Sequence, residues 1–321
     1  MGRLTTRRAV LAGGIALCGT AGRAFGEPSR PQRVALVTSG RGVNILEWIR
    51  GTLRNLGYEE GKNLIIDFRE ANGHYAELPK LLAEAIALNP DVIIAEATPA
   101  IAAAQQLTST IPIVMAPSTD PVGAGFVKSF ARPGGNITGV ANMFDDLTAK
   151  TLDIVRLVFP DVQKIGILTS ANPTHPPLAK VAIRASGAIG ISAESFAAPN
   201  PEDVEKAFAD MKAANCEIVY VLADPPRPTL PPLAIKYGLP VVSQVNSYPK
   251  IGALMSYGPD IQSIFVRAAH YADRVLKGGS PAEMPIQQPT KFVFVINLRT
   301  AKGMNLIIPE RVLLLADEVI E

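Results

Sequence analysis

Along the chain, runs of four to seven mostly aliphatic residues alternate with longer stretches in which apolar positions return every third or fourth residue. The runs predict strands at Arg33–Thr38, Asn63–Arg69, Asp91–Glu96, Ile111–Ala116, Ile137–Ala141, Lys164–Thr169, Ser192–Phe196, Glu217–Leu222, Pro240–Ser243, Ala253–Tyr257 and Phe292–Ile296. The intervening spacing predicts helices, as in Tyr75–Leu88 and in Pro201–Ala214, where Asn200 stands as the N-cap. Strands and helices alternating in this way predict an α/β chain with parallel sheets covered by helices on both faces.

Within that alternation, three segments recur in the same order. Arg33-Val-Ala-Leu-Val-Thr-Ser-Gly40 aligns with Lys164-Ile-Gly-Ile-Leu-Thr-Ser-Ala171, identical at Thr-Ser. Asp91-Val-Ile-Ile-Ala-Glu-Ala-Thr-Pro99 aligns with Glu217-Ile-Val-Tyr-Val-Leu-Ala-Asp-Pro225, which sets Thr98 opposite Asp224. Ile111-Pro-Ile-Val-Met-Ala-Pro-Ser118 aligns with Leu239-Pro-Val-Val-Ser-Gln-Val-Asn246. Any two buried strands would give one such match; three at similar spacing predict two similarly wound, Rossmann-like lobes.

In open parallel sheets, ligands sit beyond the carboxyl ends of the strands, where loops and helix N-termini present unpaired backbone N–H groups. The strand ends here are polar. The first lobe offers Ser39, Thr98 followed by Pro99, and Ser118-Thr119-Asp120; the second offers Ser170, Asn172, Asp224, Asn246 and Ser247. Two facing carboxyl edges would make these residues the walls of an interlobe cleft. Each taken alone reads equally well as a helix cap or turn former, and their recurrence at equivalent strand ends is what marks them. In Met115–Phe126, MAPSTDPVGAGF, the polar triplet is expected as the lip of the fourth strand, with Gly123 and Gly125 admitting a following helix.

Enzymatic chemistry has little foothold. The chain has no G-x-S-x-G elbow, no H-E-x-x-H, no P-loop and no closely spaced cysteine pair. His74, His175 and His270 are scattered, and His175, within Asn172-Pro-Thr-His-Pro-Pro177, reads as an exposed loop histidine near the cleft. The adjacent acids Glu59-Glu60 and Asp145-Asp146 read as solvated turn and helix-start residues. No catalytic residue, metal ligand or cofactor is therefore expected. The alternative is an exported dinucleotide-dependent oxidoreductase using Gly40-Arg-Gly42-Val-Asn-Ile45 or Gly123-Ala-Gly125-Phe-Val-Lys128 as phosphate loops. Both lack the third glycine that lets helix pack closely on strand.

Residues 1–26 read as an export signal: a basic start, an apolar run at Ala9–Thr20 too short to anchor in a membrane, and Ala24-Phe25-Gly26 as a cleavage site. Thr6-Arg7-Arg8 before Ala9-Val10-Leu11 points to the twin-arginine type, with an ordinary secretory signal as the alternative. Removing this segment takes away Arg3, Arg7, Arg8 and Arg23 and no acid, so the formal charge of +2 becomes −2, with 27 basic residues against 29 acidic. Nothing basic then recommends nucleic acid or an anionic membrane as partner. No later stretch is apolar for long enough to span a membrane. Cys216 is left alone, which excludes an internal disulfide, and about 295 residues suit two compact domains.

Several longer motifs add to this reading. Gly57-Tyr-Glu-Glu-Gly-Lys-Asn63, Ala97-Thr-Pro-Ala100, Ile111-Pro-Ile-Val114, Asp120-Pro-Val-Gly-Ala-Gly125, Ala131-Arg-Pro-Gly-Gly-Asn-Ile-Thr-Gly139, Met255-Ser-Tyr-Gly-Pro259, Gln288-Pro-Thr-Lys-Phe292 and Ala316-Asp-Glu-Val-Ile-Glu321 stand in one order along the chain. In this the sequence resembles, over nearly its whole length after the signal, the solute-binding proteins of ABC transporters of the type associated with tryptophan and tyrosine uptake.

The resemblance implies a type I periplasmic-binding-protein fold, with two lobes joined by three crossover strands near Thr138–Phe144, Leu254–Pro259 and Pro289–Phe294. Lobe one would be residues 27–140 with 259–289, and lobe two 141–258 with 290–321. The implied protein is a periplasmic, monomeric, non-enzymatic receptor that closes over a small solute and presents it to an ABC transporter permease. By analogy, Thr98, Ser118, Thr119 and nearby backbone N–H groups would receive a ligand carboxylate. Asp120 or Asp224 would receive an ammonium group, and Tyr257, at the second crossover, would line the cleft. The family pattern weakens at the proline-dense Asp224–Pro232 and at the glycine-rich Thr38–Asn44 loop with its Arg41. An organic or aromatic acid therefore stands beside an aromatic amino acid as the implied solute. The sole tryptophan, Trp48, is expected to pack in the first helix.

Overall fold

Val34, Ala35, Leu36 and Val37 of strand β1 (Gln32–Thr38) are all fully buried, alternate residues pointing to opposite faces of the pleat. A strand that is apolar on both faces has to be covered on both. Val34 and Leu36 pack with Ile49 and Leu53 of α1 (Val43–Asn55), while Ala35 and Val37 pack with Leu78 and Leu82 beyond β2 (Leu64–Glu70), on α2 (Leu78–Ala87). The chain continues through β3 (Val92–Glu96), α3 (Ala97–Leu107), β4 (Ile113–Ser118) and β5 (Ile137–Ala141). These five strands form one wholly parallel sheet in the order β2-β1-β3-β4-β5. The computed structural model describes residues 30–321, so the export signal expected at 1–26 lies outside the described residues.

The second unit opens with α4 (Phe144–Val158) and runs through β6 (Lys164–Thr169), α5 (His175–Ala188), β7 (Ser192–Ala197), α6 (Val204–Ala213), β8 (Ile218–Val221), α7 (Leu230–Tyr237), β9 (Val241–Ser243) and β10 (Met255–Pro259). The chain then returns to the first unit as α8 (Ile261–Leu276). Ile264, Phe265, Ala268, Ala269 and Ala272 of that helix form one stripe buried against the face that also carries α1. It crosses back for β11 (Phe292–Asn297), α9 (Leu298–Gly303), α10 (Glu310–Leu313) and β12 (Glu318–Ile320).

The second sheet has the order β7-β6-β8-β9-β10-β11-β12, and its first five strands repeat the winding of β2-β1-β3-β4-β5. The repeated segments are thus β1 and β6, β3 and β8, β4 and β9. One polar detail recurs with them: Asp91 Oδ2 accepts the Arg33 N–H at 2.7 Å, and Glu217 Oε1 accepts the Lys164 N–H at 3.1 Å. A carboxylate thus pins the entry of the central strand in each lobe.

All eleven predicted strands are present, their ends displaced by at most two residues. The predicted helix at Pro201–Ala214 begins as a 3-10 turn capped as expected, with the Asn200 N–H donating to Asp203 Oδ2 at 3.0 Å and the Asn200 side chain receiving the Asp203 N–H. Two features differ from expectation. β10 and β11 pair antiparallel, because the chain leaves the sheet for α8 between them. The helix expected after β4 does not form: residues 121–136 are turns, bends and irregular backbone, and Pro121, Gly123, Gly125, Pro133, Gly134 and Gly135 leave no more than the seven residues 126–132 free of glycine and proline.

Candidate ligand-binding site

The carboxyl ends of the two sheets face each other across a cavity of about 110 Å³. Helix α3 follows β3 without a loop, and the turn is made by Ala97 in the left-handed region at φ 66. A non-glycine residue held there costs about 1–3 kcal/mol, a strain that persists only where its surroundings enforce it. The turn sets Glu96, Ala97 and Thr98 together on the cavity wall. The first-turn N–H groups of α3 have no intrahelical acceptor, so this end of the helix favours an anion.

From the end of β4 come Pro117 and Thr119, and from the passage between lobes Asn142 and Phe144. The polar groups interlock: the Thr119 N–H donates to Thr98 Oγ1 at 3.3 Å and Asn142 Nδ2 donates to Thr119 Oγ1 at 2.9 Å. Ile45 and Trp48 of α1, Phe144, and Ile261 and Phe265 of α8 make the apolar side, with the Trp48 and Phe265 rings stacked at 6.0 Å. The second lobe contributes Asn172, Ala223 to Pro226, Val245 and Ser247.

Asp224 is almost wholly buried but fully partnered. Arg227 donates to its Oδ2 from Nη2 at 2.8 Å and from Nε at 3.1 Å, while Tyr75 and Ser170 hydroxyls donate to Oδ1 at 2.5 and 3.2 Å. Burial and the Asp224 charge hold the Tyr75 phenol well above its ordinary value. Beside this group, His175 is buried rather than exposed, as the first residue of α5. Its Nδ1 accepts the Ser170 N–H at 2.7 Å and its Nε2 donates to the Ala223 carbonyl at 3.2 Å. Burial depresses its pKa, so the neutral ring braces the loop.

Glu96 sits deepest in the first-lobe wall. Its Oε2 accepts the Ser39 N–H at 2.6 Å and the Gly40 N–H at 3.3 Å. Desolvation, reinforced by the Asp224 charge and opposed by those two hydrogen bonds, pushes its carboxyl up to about 7.

Of the residues singled out in the sequence, the structure brings Thr98, Thr119, Asn172, Asp224 and Ser247 together around the cavity. Ser39 lies behind it, its hydroxyl donating to the Glu96 carbonyl at 2.8 Å. Pro99 is buried in the first turn of α3, and Ser118 is enclosed with its hydroxyl donating to the Thr119 carbonyl at 3.3 Å. Asp120 faces a neighbouring pocket of about 480 Å³ with Gln105, Gln106 and Asp145, and its Oδ1 accepts the Gly123 N–H at 2.9 Å. Asn246 lies in a third pocket with Arg41 and Lys250. Tyr257, on β10, packs edge-on against Phe294 at 6.5 Å beneath the Lys150 ammonium, away from the cavity.

Sequence reasoning missed Glu96, Asn44, Asn142, Tyr75 and Arg227 as site residues and assigned Trp48 to packing alone. The one available signal for Glu96 was an acid closing an otherwise aliphatic run, Val92-Ile-Ile-Ala-Glu96.

The dinucleotide alternative fails on the same loop. The N–H groups of Ser39 and Gly40 are taken by Glu96, and that of Gly42 by Glu70 Oε2 at 3.2 Å, so carboxylates stand where a pyrophosphate would have to lie. Among the described residues no cluster of His, Cys, Asp and Glu is arranged to hold a metal, and no helix is long and apolar enough to cross a membrane.

Comparison with known proteins agrees with the geometry. The solved structure of an ABC domain in complex with L-Trp from Streptococcus pneumoniae superposes with a TM-score of 0.82 at 24% identity, covering 90% of this chain and 100% of that one. A conserved domain protein from Vibrio cholerae superposes with the same score at 28% identity and the same coverage. A tyrosine-binding protein from Clostridioides difficile is 28% identical over 268 residues, 79% of this chain and 74% of its own. Residues 35–320 match the family described as ABC transporter substrate binding protein. With two like-wound lobes, a cavity between their strand ends and a family match over nearly every described residue, the chain belongs to the ABC transporter substrate-binding proteins.

Proposed function

We propose that this protein captures an aromatic α-amino acid between its lobes and delivers it to an ABC transporter permease after export to the periplasm. The observation that carries this reading is the division of the cavity. One side is aromatic and aliphatic, built from Trp48, Phe144, Phe265, Ile45 and Ile261; the other is polar, built from Glu96, Thr98, Thr119, Asn142 and Asn172. An aromatic amino acid has the same division. Its carboxylate suits the first turn of α3 with the Thr98 and Thr119 hydroxyls, and its ring suits the space beside Trp48 and Phe265. The tyrosine-binding relative and the L-Trp complex support that ligand class.

Residues 27–140 with 259–289 would move as one body and 141–258 with 290–321 as the other, the three crossings serving as hinge. Ligand held first by one lobe gains contacts with the second on closure, which is the differential affinity that favours the closed state. Calorimetric titration and thermal shift with the proteinogenic amino acids test the reading. L-Tryptophan, L-tyrosine or L-phenylalanine is expected to raise the melting temperature and alanine to leave it unchanged. Binding of a non-aromatic organic acid in place of all three would overturn it.

A further inference from the structure

Two carboxylates line the cavity, Asp224 and Glu96, and the first is already committed. Asp224 is neutralised by the buried Arg227 guanidinium, whose remaining donor Nη1 goes to the Ala198 carbonyl at 2.9 Å. Asp120 opens into the neighbouring pocket. Glu96 is left: it is 7% exposed, the Ser39 and Gly40 N–H groups both donate to its Oε2, and among the described residues nothing donates to Oε1. A carboxylate enclosed on a cavity wall with one oxygen unpartnered is a poor resting state, because burial penalises its charge and neighbouring Asp224 repels it.

Resting on the aromatic-amino-acid reading above, we infer that Glu96 is the counter-charge for the ligand's ammonium group, and that capture of the ligand displaces a proton from this carboxyl to solvent. The ammonium supplies the donor that Oε1 lacks and the positive charge that Arg227 spends on Asp224. The groups facing Glu96 agree with this assignment. The β1 loop brings only the two N–H groups of Ser39 and Gly40. The second lobe brings Asp224 with its attendant Ser170, His175 and Arg227, and the first lobe adds the Tyr75 phenol that donates to Asp224. Arg41, a cation on the cavity wall itself, also lines the outer pocket with Lys250 and forms no ion pair among the described residues. The empty site therefore keeps a proton on Glu96 near neutrality, its carboxyl standing at about 7, and an adjacent ammonium group pulls that value down.

Two consequences follow: acid weakens capture, and solutes lacking the amine are rejected. The test is calorimetric titration of wild type and Glu96→Gln with L-tryptophan and L-tyrosine, and with their des-amino counterparts indole-3-propionate and 3-(4-hydroxyphenyl)propionate, at pH 8 and pH 5.5. Wild type is expected to bind the amino acids about 10-fold or more tightly at pH 8 than at pH 5.5, and to prefer them to the des-amino acids by about 100-fold at pH 8. In Glu96→Gln the pH dependence disappears and amino-acid affinity falls about 100-fold, while the des-amino acids bind as well as or better than to wild type, which shows the pocket intact. Variant binding of the amino acids within about 3-fold of wild type at both pH values overturns the inference and leaves the ligand reading standing. Equal loss of both ligand types in the variant also overturns it, by making Glu96 a purely structural residue. A wild type that binds neither amino acid overturns the inference and the ligand reading together.

Discussion

The phenol of Tyr75, which packs on the α2 side of the first lobe, donates across the cleft to Oδ1 of Asp224 in the second at 2.5 Å. This is a bond between lobes that owes nothing to a ligand. It contributes to closure in the empty protein, while Arg227 holds the acceptor in place from behind. Tyr75→Phe removes the donor and little else. A hydrogen bond to a charged group is worth about 1.5–3 kcal/mol, so the variant is expected to bind ligand about 10-fold more weakly with the loss in dissociation rate. Small-angle scattering should show a larger ligand-free radius of gyration than wild type; an unchanged radius would remove the latch.

Asp224→Ala is expected to act differently, through the fold. It leaves the Arg227 guanidinium, 6% exposed, without its counter-charge, and breaking such a buried pair costs about 3–5 kcal/mol. Urea unfolding should show that loss in the second lobe, and Asp224→Ala combined with Arg227→Met should recover much of it.

Gly40 separates closure from folding. A Cβ built on it would stand 2.3 Å from Cβ of Pro225, across the cleft, yet no contact under 4 Å arises with its own lobe among its nearest neighbours. Gly40→Ala is expected to fold with a melting temperature close to wild type and to lose ligand affinity by about 10-fold or more, because the added methyl group props the lobes apart. Wild-type affinity in this variant would mean that the two loops do not meet in the bound state.

The stability of the empty protein should depend on pH through Glu96. Its folded-state carboxyl stands at about 7 against an ordinary 4.5, so folding favours the protonated acid. The stabilising effect of that proton is present in full below about pH 4.5 and is lost as pH rises through about 7, above which the buried charge opposes folding by about 3 kcal/mol. Glu96→Gln keeps an oxygen for the Ser39 and Gly40 N–H groups but does not titrate. It is expected to match wild type near pH 4.5 and to exceed it by about that amount at pH 8 in urea unfolding. A difference that does not change with pH would contradict the assignment.

Trp48, the sole tryptophan, lines the cavity and stacks on Phe265. Its emission is therefore expected to shift when L-tyrosine or L-phenylalanine binds, and Trp48→Phe should abolish the signal while calorimetry still detects binding. An emission spectrum indifferent to a ligand seen by calorimetry would place that ligand elsewhere.

The fold is legible in the sequence because strands such as β1 and β6 are buried on both faces and read as unbroken aliphatic runs, and because each has a counterpart in the other lobe. β12 is not, since Glu318-Val-Ile320 is three residues long and takes its extended form from pairing with β11 rather than from its own composition. Five lip residues reach the cavity because strand-end polarity follows from topology. The rest of the site depends on distance across the cleft: nothing local to Tyr75 announces Asp224, and Glu96 ends its strand in a way that a simple cap would share. His175 misleads for a related reason, since a histidine between prolines reads as loop until the Ser170 N–H and the Ala223 carbonyl are found on either side of its ring.

The loop after β1 has one further consequence. Its amides at Ser39, Gly40 and Gly42, which in a nucleotide-binding relative of this winding would be free for phosphate, are satisfied from within by Glu96 and Glu70. The protein thus brings its own carboxyl oxygens to the place where a dianion would bind. A phosphorylated solute, such as phosphotyrosine, would meet two carboxyl groups and no free backbone amide from Ser39, Gly40 or Gly42 there, so these three amides offer a phosphate ester no cradle.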